Sequence, residues 1–391
     1  MEFVNRVNQT EILYGNNKEN DIGRIIKYLG GSRLLIVSLK DNSKIVGLLD
    51  KLKRSLKSAG IECIDLKIEC SNPRIEIAFQ AMTICHNENI DFVLAIGSYN
   101  EFSIAKAIAA GANYEDNFYN IFKKDCQIER ALPIGIISTS ACGGDAFNNS
   151  AVLSHKLEDG SLTFYTCKSS NLAPKFVIYS PELCSYDSRS IEQNIVRIVS
   201  LFIYRIFAKQ KANLLVQNLS IAAIKTIISF LDTLDEDSDD PSAIENILVS
   251  SIFASISFVY NQKEDDTPSI LAKAIVSVFD CDYEQALSLS TCAWLLYHLK
   301  DHALTYARLG KELFNLEYDF SDPLITAKQT VMEFNHLIKR LGFPTSFKDL
   351  NANCQDLEKV LYKLGFPEIS KIDNQEGLDR AQCEVLLSLS I

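Results

Sequence analysis

Short strand signals alternating with helical patterns set the terms for the first half of this chain. "RLLIVSL" (33–39) precedes "IVGLLDKLKRSLKSAG", and "ECIDLKIE" (62–69) precedes the helix that follows Asn72-Pro73. "DFVLAIG" (91–97) runs into "NEFSIAKAIAAG", and "ALPIGIIST" (131–139) follows. Near-continuous apolar strands separated by helices predict a parallel sheet covered on both faces. The alternation stops near "APKFVIYSPELCS" (173–185).

From about Ser190 the pattern is helical to the end. "IEQNIVRIVSLFIYRIFAKQ" is apolar on most of its faces and predicts a buried helix of a bundle. "AIENILVSSIFASISFVY", "QALSLSTCAWLLYHLKDHALTYARLGKELF" and "LITAKQTVMEFNHLIKRLG" continue the series. A chain of 391 residues is long for one core. The sequence therefore predicts a Rossmann-like α/β domain over 1–183 and an all-helical domain over 184–391. The acidic run "DTLDEDSDDPS" (232–242) reads as a solvated loop that caps the following helix, with Pro241 just inside it.

A net charge of -11 argues against nucleic-acid or anionic-membrane partners, which would repel the chain. The first residues lack a signal-peptide pattern, and no uninterrupted apolar segment looks long enough to span a bilayer, so a cytoplasmic protein is expected. The 11 cysteines lie scattered with no CxxC pair, as expected for reduced thiols. Cys142, beside Gly143 and Gly144, is the one in a setting where reactivity is conceivable.

The turn after "DFVLAIG" carries Gly97 followed by Ser98, Tyr99 and Asn100. Strand, glycine and helix are the outline of a phosphate-binding turn, where bare glycines let backbone N–H groups approach a pyrophosphate at a helix N-terminus. Tyr99 places bulk where that approach occurs, and non-glycine residues lose easy access to positive φ.

In this order the segments resemble the iron-containing alcohol dehydrogenase family, in its butanol-dehydrogenase-like branch, over nearly the whole chain. "TEILYG" is similar to the opening strand and "SNPRIEIAFQAM" to the family's Asn-Pro segment. "DFVLAIGSYNEFSIAKAIAAGANYEDNFYNIF" is similar to the glycine-rich turn and its helix. "ALPIGIISTSACGGDAFNNSAVLS" resembles the second nucleotide loop, and "APKFVIYSPEL" the strand leading into the helical domain. "LIKRLGFPTSFKDL" and "GLDRAQCEVLLSLS" resemble the closing helices. The resemblance implies the dehydroquinate-synthase-like fold of that family, with the site in a cleft between the domains, NAD(P) as cofactor, iron or zinc as metal, and a homodimer.

By the same resemblance, one aspartate and three histidines hold the metal. Those positions carry Asn194, Ile198, Ile270 (or Leu271 beside it) and Glu284 here. Two hydrocarbon side chains, one neutral amide and one carboxylate fall short of the roughly three protein ligands a first-row metal needs. Iron or zinc is therefore not expected, and with it goes the Lewis acid that would polarise an alcohol or carbonyl oxygen. In the turn, Ser98, Tyr99, Asn100 and Ser103 stand where relatives have two glycines, a serine and an aspartate, while Gly97 and Lys106 are retained. Gly97, Ser98, Asn100, Thr139 and Ser140 are the candidate cofactor-binding residues. The turn is expected to hold a dinucleotide poorly, or to hold something else.

His155 and Glu284 are the candidates for a metal-free general base. Glu284 reads either as a carboxylate entering an apolar bundle or as a solvated residue after "FDCDY". His298 and His302, four apart with Asp301 between them, could form a new metal edge if one helix carried both. Three readings stay open: a degenerate relative that binds a small molecule, a nucleotide or a protein partner; a metal-free enzyme; and an active NAD(P)H-dependent oxidoreductase on alcohols or aldehydes with altered ligands.

Overall fold

The computed structural model describes residues 3–7, 9–40, 43–70, 72–114, 118–122, 126–141, 143–184, 188–207, 214–255, 265–352, 354–372 and 377–389. Two compact units make up the chain: 1–156, 163–191 and 237–256 in one, 157–162, 192–236 and 257–391 in the other. Cys142 lies outside the described residues.

The first unit is built on a seven-stranded sheet. Its strands are β1 (Phe3–Val7), β2 (Thr10–Tyr14), β3 (Arg33–Leu39), β4 (Glu62–Ile68), β5 (Phe92–Gly97), β6 (Ile134–Ser138) and β9 (Phe176–Tyr179). They run in the order β1-β2-β9-β6-β5-β3-β4. β1 is antiparallel to β2, and every other pairing is parallel. The expected parallel sheet is thus present. A separate two-stranded ribbon of β7 (Ser150–Lys156) and β8 (Leu162–Lys168) was not anticipated from the sequence pattern.

Alternation along the strands explains the two covered faces. Leu34 and Ile36 of β3, with Phe92, Leu94 and Ile96 of β5, join Leu48, Leu52 and Leu56 of the helix Ser43–Ser58 in one core. Val93 and Ala95 point the other way and are equally buried. Gly135 of β6 sits opposite Phe176 of β9 in register. A side chain at Gly135 would run into the Phe176 ring, which stacks on Phe92 with centroids 6.3 Å apart.

In the helix Tyr99–Gly111 every residue from Glu101 to Gly111 is buried. The sheet covers one side, and the helix Ile75–Asn87 and β7 cover others. β3 pairs with β4 on one side and β5 on the other, so the winding direction reverses between β3 and β5. Open α/β sheets place ligands at the carboxyl ends of strands at such a reversal. Gly97 ends β5 there.

The helix Pro241–Ser255 belongs to this unit, although the sequence reading assigned everything after 183 to the helical domain. Ile244, Ile247, Leu248 and Ile252 are buried, and the Tyr14 hydroxyl of β2 donates to Glu245 at 3.2 Å. The acidic run 232–242 was expected to be loop throughout, but its first half forms the helix Leu231–Glu236. Its second half caps Pro241–Ser255 as expected, with Ala243 N donating to Asp240 at 2.7 Å.

The second unit is helical. Its core gathers around Trp294 in the helix Tyr283–Tyr297, with the rings of Tyr204, Phe207 and His298 against it. Trp294 Nε1 donates to Asp265 at 3.3 Å, and Tyr204 and Thr291 share a hydrogen bond of 2.6 Å. The stretch Leu214–Glu236 corrects one expectation, because it is long and apolar enough to cross a membrane by length and composition alone. It is divided into the helices Leu214–Ser229 and Leu231–Glu236. Val216, Ile221, Ile224 and Ile227 are buried in the unit, while Asp232 and Asp235 pair with Arg340 at 2.6 and 2.5 Å.

Candidate functional site

The turn after β5 and the segment after β6 are neighbours, because the two strands pair with Gly97 opposite Ser138. Thr139 N donates to Gly97 O at 2.9 Å. Four of the five candidate cofactor residues, Gly97, Ser98, Thr139 and Ser140, are therefore brought to one place. Thr139 and Ser140 are buried, and the Ser140 carbonyl accepts from Ser138 Oγ at 2.7 Å. Asn100 is drawn to another element, its amide donating to Cys70 O at 2.8 Å. Lys106 is buried and donates to Asp145 O at 2.8 Å and Asn148 Oδ1 at 2.7 Å.

Sequence reasoning missed the residue that fills this turn. Gly97 has φ +149°, a conformation that favours glycine. Ser98 caps the helix, and Glu101 three residues later completes a capping box. The Glu101 carboxylate accepts from Ser98 N at 2.8 Å and from Ser98 Oγ at 3.2 Å. A side chain at Gly97 would collide with the Glu101 side chain. Glu101 is only 3% exposed, and burial raises its pKa, partly offset by the Ser98 hydrogen bonds. The signal was present as Ser-x-x-Glu at 98–101.

In the second unit, the positions the resemblance assigns to metal ligands lie on three helices. Asn194 and Ile198 are on Ser188–Ile206, Ile270 on Thr267–Phe279, and Glu284 on the first turn of Tyr283–Tyr297. Asn194 and Ile198 are buried, and Ile270 is half-buried with Leu271 fully enclosed beside it. Glu284 is 7% exposed, so it is not the solvated residue of the alternative reading. It is not a free base either, because its carboxylate is bound by Arg197 Nε. The Arg197 guanidinium also lies 5.1 Å from the centre of the Tyr283 ring. A guanidinium is permanently charged and offers donors only. At the position the resemblance assigns to the fourth ligand, the carboxylate is thus bound to an internal cation. Arg197 was not singled out from sequence, since nothing in "NIVRIVS" distinguishes it from a surface arginine.

This donor set does not fit a divalent ion. Ile198 and Ile270 have no lone pair, and the Asn194 amide is one neutral ligand. Among the described residues no group of three or more His, Cys, Asp or Glu is placed to hold a metal. His298 and His302 are not on one helix: His298 ends Tyr283–Tyr297 and His302 precedes Ala303–Phe314. Their rings pack against Trp294, Tyr297 and Phe207. One turn beyond Ile270, burial lowers the pKa of Lys273, with Asp266 opposing, a second cationic group that sequence reading passed over.

His155 has an orienting partner after all. Its Nδ1 meets the Glu76 carboxylate, and its ring lies 6.5 Å from that of Tyr165. The pair is partly exposed on β7 and the helix Ile75–Asn87. Nine of the cysteines, among them Cys70, Cys85, Cys281 and Cys292, are free thiols. Burial raises the thiols of Cys70 and Cys85 to about 11 and those of Cys281 and Cys292 to about 12, which disfavours the reactive thiolate.

Comparison with known proteins agrees with this layout. Residues 9–181 match the family model described as iron-containing alcohol dehydrogenase, and residues 205–389 match the C-terminal model of the Fe-containing alcohol dehydrogenase family. The chain is 24% identical to the probable NADH-dependent butanol dehydrogenase 2 of Bacillus subtilis, over 97% of this chain and 98% of the relative. It is 22% identical to the NADPH-dependent aldehyde reductase YqhD of Escherichia coli, over 93% of each. The solved structure of NADH-dependent butanol dehydrogenase A from Thermotoga maritima superimposes with a TM-score of 0.88 at 24% identity, covering 100% of this chain and 99% of the other.

Two stability measurements check the geometry. Removing Arg197 leaves a buried carboxylate without its cation, so Arg197→Ala should cost about 2–4 kcal/mol in urea unfolding. The double change Arg197→Met with Glu284→Met should recover most of that loss. For Glu101 the folded pKa is raised, so the folded state binds more protons and stability falls as pH rises through that pKa. Glu101→Gln removes this loss, and its stability relative to the wild type should increase between pH 4 and pH 8.

Proposed function

The chain belongs to the iron-containing alcohol dehydrogenase family, and we propose that it has exchanged metal-dependent hydride transfer for the binding of a small molecule or a protein partner. One observation carries this reading: Arg197 holds Glu284 at the fourth ligand position. A cation bound into the protein occupies the last good donor, the Glu284 carboxylate. Buried Ile198 on the same helix offers nothing in exchange.

The chemistry of the relatives explains why this matters. Metal-assisted hydride transfer needs a cation facing the developing alkoxide, which is worth several kcal/mol of barrier. The Arg197 guanidinium is neutralised by Glu284, and aliphatic groups at 198 and 270 supply no such stabilisation. The reading includes assembly as a homodimer in the cytoplasm, which rests on the resemblance.

The relatives named NADH-dependent butanol dehydrogenases supply the probe. Purified protein given NADH and butyraldehyde, with ferrous iron or zinc added anaerobically, should oxidise NADH no faster than the protein-free mixture. A rate that appears with added metal and disappears with chelator would contradict the proposal.

A further inference from the structure

The turn after β5 raises a question that is separate from the metal site, since it lies in the other unit and involves none of the same residues. We propose that Glu101 is a specificity-determining residue that closes this turn to phosphate groups, lodging its own carboxylate where a pyrophosphate would take its hydrogen bonds.

A phosphate-binding turn works through three features: open backbone N–H groups, a glycine face that lets the anion approach, and the positive end of a helix. The position at the β3–β5 reversal and the 13-residue helix Tyr99–Gly111 are both in place. Glu101 uses up the rest. One of its oxygens accepts both Ser98 N and Ser98 Oγ. Its side chain lies over Gly97, the one glycine retained in the turn, so that the bare glycine face is covered rather than open. The positive helix end is met by a carboxyl group from its own first turn. Lys106 is engaged with Asp145 O and Asn148 Oδ1 within the segment that resembles the second loop.

An ordinary capping glutamate sits at the surface, where water supports its charge. Glu101 is enclosed, and its burial opposes ionisation. The same helix start could be capped by Ser98 alone, so the buried carboxyl group does more than end a helix. Whether neutral or ionised it occupies the space over Gly97 and the two Ser98 donors, and when ionised it also repels a phosphate.

Calorimetric titration of the full chain with ADP, pyrophosphate and adenosine tests this directly. The wild type should show no saturable binding of ADP or pyrophosphate at millimolar concentration. Glu101→Ala, which removes the carboxyl group and its bulk, should bind ADP at least about ten-fold more tightly. Glu101→Gln keeps the bulk and the cap but not the charge, and should gain less. Adenosine should bind equally to all three. If Glu101→Ala does not fold, as judged by circular dichroism, a gain for Glu101→Gln decides the matter. ADP binding by the wild type that neither variant tightens would overturn the proposal. So would folded variants that gain nothing, or a gain shared by adenosine. Because no arm uses metal or turnover, the result is independent of the metal-site reading.

Discussion

A carboxylate withdrawn from water must be met by a cation or by hydrogen-bond donors, and two such carboxylates organise the places where this fold would do chemistry. Glu284 is met by Arg197, and Glu101 by the backbone and hydroxyl of Ser98. In the proposed reading, an internal group in each unit holds what a ligand would otherwise hold. Desolvation makes both arrangements costly to open, because the freed carboxylate would remain buried. They are therefore more than incidental surface contacts.

The consequence for the helical unit follows from coordination chemistry. A structural or catalytic metal ties helices together through several lone pairs. Here one ion pair joins the helices Ser188–Ile206 and Tyr283–Tyr297, and hydrocarbon fills the neighbouring position at Ile198. Trp294, Tyr204, Phe207 and Tyr306 supply aromatic packing, and the hydroxyls of Tyr204, Thr291 and Ser200 satisfy one another inside it.

Much of the architecture was legible because period and burial agree. β3, β5 and β6 are near-continuous apolar runs buried on both faces, which made them readable. β7 and β8 were missed although Asp159-Gly160 marks a hairpin turn, with Gly160 at φ +84°. Their half-buried, mixed composition gave no run to read. The division of the chain was less legible, because Pro241–Ser255 is as apolar as the bundle helices, and only packing assigns it to the sheet. Absences in the candidate site were visible, since an isoleucine cannot coordinate wherever it points. The groups that took over were not. Arg197 and Glu284 are 87 residues apart, and no local pattern announces that they meet. Glu101 sat in a readable capping motif, but its enclosure depends on the helix being covered on every side.

The central claim is that charge compensation inside the protein has displaced the metal. Anaerobic equilibration of the purified chain with ferrous iron and with zinc, followed by gel filtration and elemental analysis, tests it most directly. The account predicts far less than one metal ion per chain, and no increase when NADH is present. One ion per chain retained through the column, and lost when Glu284 is changed to alanine, would contradict it.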